Sequence, residues 1–141
     1  MKYIGQGKVP AAYIDSNLHV NIKHYVGIIS DGTHQFVAST DLKKIIDGKN
    51  KSFVITKMSS SFHKEMKTND EWILFAGIYK INLSCFSLVY DLKVKDTRVA
   101  KFHARCNYFN LSTRKSFQID SEVLANMQLE IINLLHDPLL D

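Results

Sequence analysis

The chain changes from an extended to a helical pattern at Asp15-Ser16-Asn17-Leu18-His19-Val20-Asn21. These seven residues include one carboxylate, two amides and one imidazole. They follow the short apolar run Lys8–Ile14, which we interpret as a strand whose Pro10 confines it to a sheet edge or to the strand's start. A polar loop directly before a helix can aim its side chains at a ligand carbonyl, with the positive end of the helix dipole behind them.

A helical period of apolar residues begins directly after this loop and predicts a long helix. The residues that recur at helical spacing are Ile22, Tyr25, Val26, Ile29, Thr33, Phe36, Val37 and Thr40. Ile28 is a further apolar residue outside this stripe. Gly27 would allow another backbone to approach closely, and Gly32 would mark a break into two helices. Asp47-Gly48 is a stop signal for this helical region.

The second half of the chain has the pattern of an antiparallel sheet. The predicted strands are Phe53–Phe62, Trp72–Leu83, Phe86–Val94, Ala100–Tyr108 and Ser116–Ile119. Trp72–Leu83 is almost continuously apolar, which is typical of a central strand covered on both faces. The next two strands alternate apolar and polar residues on either side of Lys95-Asp96-Thr97, so we expect them to form a hairpin.

A last helix is predicted after Asp120 or Ser121, either of which can serve as its N-cap. Its apolar stripe consists of Leu124, Met127, Ile131, Leu134 and Leu135. Because helices and strands do not alternate along the chain, the fold class is α+β, with a curved antiparallel sheet wrapped around a long central helix and an extra C-terminal helix. A length of 141 residues is typical of one compact domain, so we expect residues 1–141 to form a single domain.

Composition excludes several classes of protein. The chain is 45% hydrophobic and 23% charged, with scattered lysines and a net charge of +4, so it has the composition of a globular protein without a nucleic-acid-binding footprint. Cys85 and Cys106 form no C-x-x-C motif, which favours a reducing cytoplasm over a disulfide framework. We find neither a signal peptide nor an apolar run long enough to span a membrane.

The loop before the long helix is the candidate catalytic site. Hydrolysis of an ester or thioester needs a base or nucleophile near the carbonyl carbon and donors near its oxygen. Asp15 could supply the first, and the unpaired N–H groups of the helix could supply the second. Asn17, His19 and Asn21 could orient water, substrate or Asp15. The structural alternative is an ordinary Asx-turn at Asp15 followed by an Asn21 N-cap.

No other motif of the sequence competes strongly with this loop. His103 and Cys106 lie three apart in a strand, so they point to opposite faces and cannot share a metal there. The chain has no nucleotide-binding glycine motif and no G-x-S-x-G elbow. The residues therefore predict no metal site and no bound cofactor.

The stretch from Asp15 to Tyr25 resembles the D-x-x-G-H-V-N-N-x-x-Y motif of hotdog-fold thioesterases of the 4-hydroxybenzoyl-CoA thioesterase type. It is also similar to the D-x-N-x-H-V-N-N-x-x-Y-x-G stretch of plant acyl-ACP thioesterases, which Gly27 fits as well. Further along, Phe62, Lys64 and Asp70 resemble a weakened Y-x-R-P-x-x-x-G-D segment.

This resemblance implies a homodimer or a dimer of dimers that joins two sheets edge to edge, with the site at the interface. It implies that Asp15 is the general base or nucleophile, that His19 and Asn17 assist it, and that the helix N-terminus is the oxyanion hole. We assign Asn21, Tyr25 and Lys64 to substrate binding. Coenzyme A would enter as part of the substrate, so no separate cofactor is expected.

The chain departs from these motifs at four positions. Leu18 replaces the usual Gly, so we expect the loop to avoid a positive φ at this residue. Ile22 replaces the second Asn of the pair, and Glu65 and Asn69 replace the Pro and Gly of the second motif.

The leading hypothesis is an acyl-CoA thioesterase, with an acyl carrier protein as the alternative acyl donor. Apolar residues of the long helix and of the Trp72–Leu83 strand would line the acyl pocket. The main rival is a non-catalytic hotdog module that binds acyl thioesters or a protein partner, and a third hypothesis is a hotdog dehydratase or hydratase.

Overall fold

The computed structural model describes residues 1–46, 50–129 and 131. In this part of the chain, one strand precedes a long helix and five strands follow it, and all six belong to one sheet. The main elements are β1 Lys2–Lys8, α1 Ile22–Ala38, β2 Lys51–Phe62, β3 Glu71–Ile81, β4 Cys85–Val94, β5 Thr97–Asn110, β6 Lys115–Ser116 and α3 Ser121–Gln128. A 3-10 turn at Ala11–Tyr13 and the four-residue helix α2 at Lys43–Ile46 complete the set.

The strands form one antiparallel sheet in the order β1-β3-β4-β5-β2, and β6 pairs with the end of β5. Register shifts occur between Tyr3 and Gly5, between Ile55 and Lys57, and at two further places in the sheet. Such irregularities bend strands and increase their twist, which lets the sheet curve around α1. The predicted α+β arrangement, a curved antiparallel sheet around a long helix, is therefore confirmed.

Helix α1 packs on the inner face of this sheet through one continuous stripe. The stripe consists of Tyr25, Ile28, Ile29, Gly32, Thr33, Phe36 and Val37. Thr33 bonds to the hydroxyl of Tyr90 on β4, which satisfies two buried polar groups in the core. Ile22 and Val26, which the helical period assigned to the apolar stripe, are instead 57% and 42% exposed. The sheet covers a face centred nearer Ile28, so these two side chains fall at its margin.

The two helix glycines have different surroundings. A Cβ on Gly32 would lie 2.6 Å from Cδ2 of Leu74 and 3.1 Å from Cδ1 of Ile4, so this glycine lets α1 pack closely on β1 and β3. The predicted helix break at Gly32 is wrong, because α1 runs through it without interruption. A Cβ on Gly27 would meet no atom within 4 Å, so no backbone within the described part of the chain approaches this side of Gly27 closely.

Two strand predictions need correction. Lys8–Ile14 is not a strand, because β1 ends at Lys8 and Pro10, which has no N–H to donate to a sheet, leads into the 3-10 turn. The strand covered most completely on both faces is β4, which lies in the middle of the sheet, whereas β3 exposes Ile73 and Tyr79.

The hairpin of β4 and β5 is confirmed, with Lys95 at φ 52° in its turn. Of the predicted strand Ser116–Ile119, only Ser116 lies in a strand, as the second residue of β6. Helix α3 begins after Asp120, whose side chain makes no capping hydrogen bond, and buries Met127.

The predicted helical stripe continues past the end of α3. Ile131 lies beyond that end and is 36% exposed. Asp47, Gly48, Leu134 and Leu135 are outside the described residues. Within the described residues, no helix has both the length and the apolar character needed to cross a membrane.

Candidate functional site

The polar loop before α1 is a compact turn closed by its own backbone. The N–H of Leu18 donates to the carbonyl oxygen of Asp15 at 3.0 Å, and the N–H of Asp15 donates to the carbonyl oxygen of His19 at 3.2 Å. A single antiparallel bridge between Ile14 and Val20 closes the base of the loop. The loop is therefore fixed relative to the helix that follows it.

Leu18 adopts φ 64° at the tip of this turn. The expectation that Leu would keep the loop out of the left-handed region is wrong. The turn reverses the chain between two bridged residues, and its hydrogen bonds impose the left-handed conformation despite the Cβ. In the second motif, Asn69 stands at the glycine position and also has a positive φ, 71°.

Asn21 links the loop to the helix. Its side-chain oxygen accepts a hydrogen bond from the N–H of Lys23 at 3.1 Å, which caps α1. Its Nδ2 donates to Oδ2 of Asp15 at 3.2 Å, and its backbone N–H donates to the carbonyl oxygen of Tyr13 at 3.0 Å. One residue thus holds the carboxylate, the helix start and the preceding turn together.

Asp15 is half-buried and receives two hydrogen bonds. The N–H of Asn17 donates to Oδ1 at 2.8 Å, and this bond is the main reason that the pKa of Asp15 lies below its usual value. Partial burial opposes this effect, while the Asn21 amide and the nearby His19 ring add to it. Asp15 is therefore a carboxylate throughout the neutral pH range.

One backbone donor at the start of α1 has no partner among the residues that the structure describes. The N–H groups of Lys23 and His24 are occupied by the side chain and carbonyl oxygen of Asn21. The N–H of Ile22, the first residue of the helix, donates to no described residue. Together with the dipole of the 17-residue helix, this N–H can stabilise negative charge on a carbonyl oxygen.

A cavity of about 300 Å³ lies on one side of the helix start. It is lined by His19, Val20, Ile22, Tyr25 and residues 62–65 at the end of β2. Tyr25 is 5% exposed and packs edge-to-face against Phe62 at 5.0 Å between ring centroids. Burial is the main cause that raises the pKa of the Tyr25 phenol, so its hydroxyl stays protonated.

A second cavity, of about 330 Å³, lies on the other side of α1. Trp72 and Leu74 of β3 line it together with Gly27 and Ile28 of the helix, beside several polar residues. Its rim carries a stacked pair, Tyr13 and His24, with ring centroids 3.7 Å apart.

A family model describes most of the chain. Residues 9–127 match the model of the thioesterase-like superfamily. The chain belongs to this superfamily.

Solved structures show the same fold at low sequence identity. A Staphylococcus aureus protein in complex with CoA is 19% identical, with 99% of this chain and 92% of that chain covered and a TM-score of 0.83. A probable thioesterase from Escherichia coli is 16% identical over 91% of this chain and 98% of that chain, with a TM-score of 0.78. A gentisyl-coenzyme A thioesterase is 18% identical over 87% and 98%, with a TM-score of 0.75. No curated protein sequence matches the chain.

In this thioesterase-like domain, the predicted residues fall into two groups. Asp15, Asn17 and Asn21 are joined by hydrogen bonds, although Asn17 contributes its backbone N–H rather than its side chain. His19 joins Tyr25 and Lys64 around the first cavity. The Nδ1 of His19 lies 3.3 Å from the carbonyl oxygen of Val20, to which it donates when that nitrogen is protonated.

Sequence reasoning missed the Tyr13–His24 stack at the start of α1. Eleven positions separate the two residues, and no periodic pattern joins them, so only the path of the chain through the 3-10 turn brings the rings together. Among the described residues, no group of three or more His, Cys, Asp or Glu is placed to hold a metal ion.

Proposed function

We propose that this protein is an acyl-CoA thioesterase that hydrolyses an acyl thioester to the free acid and CoA. The observation that carries the proposal is that one turn has the Asp15 carboxylate at its start and, at its end, the Ile22 N–H, which has no partner among the described residues. Membership in the thioesterase-like superfamily supports the reaction type. The CoA bound to the similar Staphylococcus aureus protein supports CoA as the thiol half of the substrate.

In this mechanism, Asp15 either attacks the thioester carbonyl or activates a water molecule that does so. The negative charge that develops on the carbonyl oxygen is stabilised by the Ile22 N–H and the positive end of the helix dipole. Asn21 is a positioning residue, because its amide orients the carboxylate while it caps the helix. No separate cofactor enters the reaction.

The substrate would lie along the start of α1. His19 and Asn17 would position water or the leaving group, while Tyr25 and Lys64 would contact the bound thioester beside them. The acyl chain would occupy the cavity between α1 and β3, which Trp72 and Leu74 line. Surface lysines would meet the phosphates of CoA, since their charge attracts an anionic ligand.

The site would be completed by a second copy of the chain. Strand β2 is a 12-residue edge of the sheet that pairs only with β5 among the described residues. Long unpaired edges are ready templates for another strand, and here Val54 and Ile55 are exposed along it. Because β2 ends at the cavity that contains Lys64, a partner joined there would border the substrate.

Thiol release tests the reaction directly. Wild-type protein is incubated with short, long and aromatic acyl-CoAs, beside Asp15→Asn and the matched control Asp96→Asn in the exposed β4–β5 turn. We expect Asp15→Asn to lower kcat by about a hundredfold or more and Asp96→Asn to leave it unchanged. Equal turnover by wild type and Asp15→Asn would contradict the role of this carboxylate.

The oxyanion donor can be removed without disturbing the helix. Ile22 is the first residue of α1, where proline is tolerated, and Asn21 already has the extended φ −66° and ψ 142° that proline requires before it. We expect Ile22→Pro to fold normally and to lower kcat by about a hundredfold to a thousandfold, because one oxyanion donor is lost. Ile22→Val keeps the N–H and serves as the control, so equal losses in both variants would exclude the backbone donor.

One observation favours the non-catalytic rival. Both oxygens of Asp15 already accept hydrogen bonds and its pKa is lowered, so it is a weak proton acceptor in the unliganded protein. A binding module would bind a non-hydrolysable acyl-CoA analogue yet release no thiol from any acyl-CoA. Binding of the analogue together with Asp15-dependent turnover would exclude this rival.

A further inference from the structure

The indole ring of Trp72 lies directly against the backbone of β1 at Gly7. The two residues are opposite each other in the register of β1 and β3. A Cβ on Gly7 would lie 2.5 Å from Cζ2, 2.7 Å from Cε2 and 3.0 Å from Nε1 of this ring. An indole is rigid and planar, so it could not bend away from an added methyl group as a flexible side chain would. No residue larger than glycine therefore fits at position 7 unless the whole ring moves.

The contact with the ring, and not the backbone conformation, explains this glycine. Gly7 belongs to the extended strand β1 and has no positive φ, so its backbone conformation suits any residue. Gly5 lies on the same strand, and within the described part of the chain a Cβ there would meet only Oε1 of Gln35, at 3.5 Å, which is an ordinary van der Waals distance. Of these two glycines, only Gly7 makes room for an aromatic ring.

The ring held at Gly7 faces the cavity between α1 and β3. Trp72 and Leu74 are two residues apart on β3, so they point to the same face of the sheet. Leu74 is the residue that a Cβ on Gly32 would meet at 2.6 Å, so this is the face that α1 covers. Both Trp72 and Leu74 line the cavity of about 330 Å³. The indole therefore lies between β1 and the helix.

Trp72 has the largest side chain in the lining of this cavity. It is half-buried and packs against the hydrophobic core. On the helix side, Gly27 has no side chain, and a Cβ there would meet no atom within 4 Å in the described part of the chain. A rigid group of this size excludes a ligand from the volume that it occupies, because protein interiors are close-packed. The width that is open to a ligand therefore depends on the position of the Trp72 ring.

We propose that Trp72, positioned by Gly7, determines which acyl groups this cavity admits, and that it selects slim, unbranched chains over branched or cyclic ones. This inference rests on the proposed function for the chemical class of the ligand, an acyl thioester. Its basis is steric, because a straight chain of methylene groups can pass beside the ring, whereas a branched or cyclic carbon skeleton would overlap with it. Trp72 is the specificity-determining residue, and Gly7 is a positioning residue that acts through it.

Two substitutions should change the width of the cavity in opposite directions. Trp72→Ala removes the ring and widens the cavity, whereas Gly7→Ala places a methyl group between β1 and the ring, which drives the ring towards α1. The measurement is kcat/KM for cyclohexanecarbonyl-CoA divided by kcat/KM for hexanoyl-CoA, so a general loss of activity cancels. We expect Trp72→Ala to raise this ratio about tenfold or more and Gly7→Ala to lower it, because a few carbon atoms in an apolar pocket change selectivity by such factors.

Two further variants separate the role of Gly7 from a general effect on the strand. Gly5→Ala should change the ratio less than Gly7→Ala does, since its methyl group meets no ring. Gly7→Ala/Trp72→Ala should have the ratio of Trp72→Ala, because Gly7 acts only through the ring. A ratio that Trp72→Ala leaves unchanged would overturn the role of Trp72. Equal effects of Gly7→Ala with and without the ring would overturn the role of Gly7.

Fluorescence of the wild-type protein tests the contact without any turnover. Trp72 is the only tryptophan of the chain, so the tryptophan emission reports this ring alone. S-hexyl-CoA, a thioether that cannot be hydrolysed, should change the emission saturably and more strongly than CoA without the hexyl chain. Binding of S-hexyl-CoA in a calorimeter without a change in emission would overturn the proposal. A change in emission without turnover of any acyl-CoA would support the contact with Trp72 and refute only the proposed hydrolysis.

Discussion

The substitution Leu18→Gly should stabilise the protein, although it removes a large side chain. Leu18 is held at φ 64°, a conformation that its Cβ disfavours and that glycine adopts freely. Its side chain is 83% exposed, so little apolar contact is lost with it. The backbone hydrogen bond from its N–H to Asp15 is kept, since glycine has the same N–H.

The size of the effect follows from two opposing terms. A left-handed conformation costs a residue with a Cβ about 1–2 kcal/mol. Glycine loses more backbone freedom on folding, which costs about 0.5–1 kcal/mol. The free energy of unfolding should therefore rise by up to about 1.5 kcal/mol, which corresponds to an increase in Tm of up to roughly 5 °C for a chain of this size.

Thermal and urea unfolding of both proteins measure this difference. The matched control is Leu129→Gly, because Leu129 is 86% exposed and has φ −68°, so glycine relieves no strain there. We expect the control to leave Tm unchanged or to lower it. Leu18→Asn should fall between wild type and Leu18→Gly, since asparagine tolerates the left-handed region better than leucine. If Leu18→Gly is destabilised as much as the control, the strain argument is refuted.

Three further predictions concern the helix, the carboxylate and the core. Gly32→Ala should destabilise the protein by about 1–3 kcal/mol, because the added methyl group overpacks the contact with β1 and β3. Gly27→Ala, whose methyl group meets open space, should stabilise the protein by up to about 1 kcal/mol. Urea unfolding of the two variants measures both effects. Because the pKa of Asp15 is lowered, its ionised form persists on acidification, so the acid limb of kcat/KM should lie below the range of an ordinary aspartate, as a pH–rate profile would show. Thr33→Val should cost about 1–3 kcal/mol by leaving the buried Tyr90 hydroxyl without its partner, and adding Tyr90→Phe should restore part of this loss in a double-mutant cycle.

Much of the polar loop before α1 could be predicted because its contacts are local. Asp15, Asn17 and Asn21 are at most six residues apart, and an Asx-turn followed by an N-cap requires these residue types at this spacing. The backbone conformation of Leu18 could not be predicted in this way. Residue preference argues against a positive φ there, and the bridge between Ile14 and Val20 overrides that preference.

The second group of site residues depends on longer-range contacts. Tyr25 meets Phe62 across 37 positions of sequence, and Lys64 reaches the same cavity only because β2 ends beside α1. The motif resemblance named Tyr25 and Lys64, but the sequence has no signal for their common cavity. The register of β2 against β5 likewise places Ser59 opposite His103, and no local pattern in the sequence predicts this contact.

Local sequence patterns were sufficient to predict the α+β class, the start of α1, the β4–β5 hairpin and the polar loop at the helix start. These features follow from apolar periodicity, turn residues and capping, which act over a few neighbouring residues. Three other features depend on contacts between distant segments: the face of α1 that is covered, the close approach of Gly32 to Leu74, and the left-handed conformation of Leu18. The reason is physical: strand register and the curvature of the sheet arise from packing between distant segments, and the energy of that packing exceeds local conformational preferences.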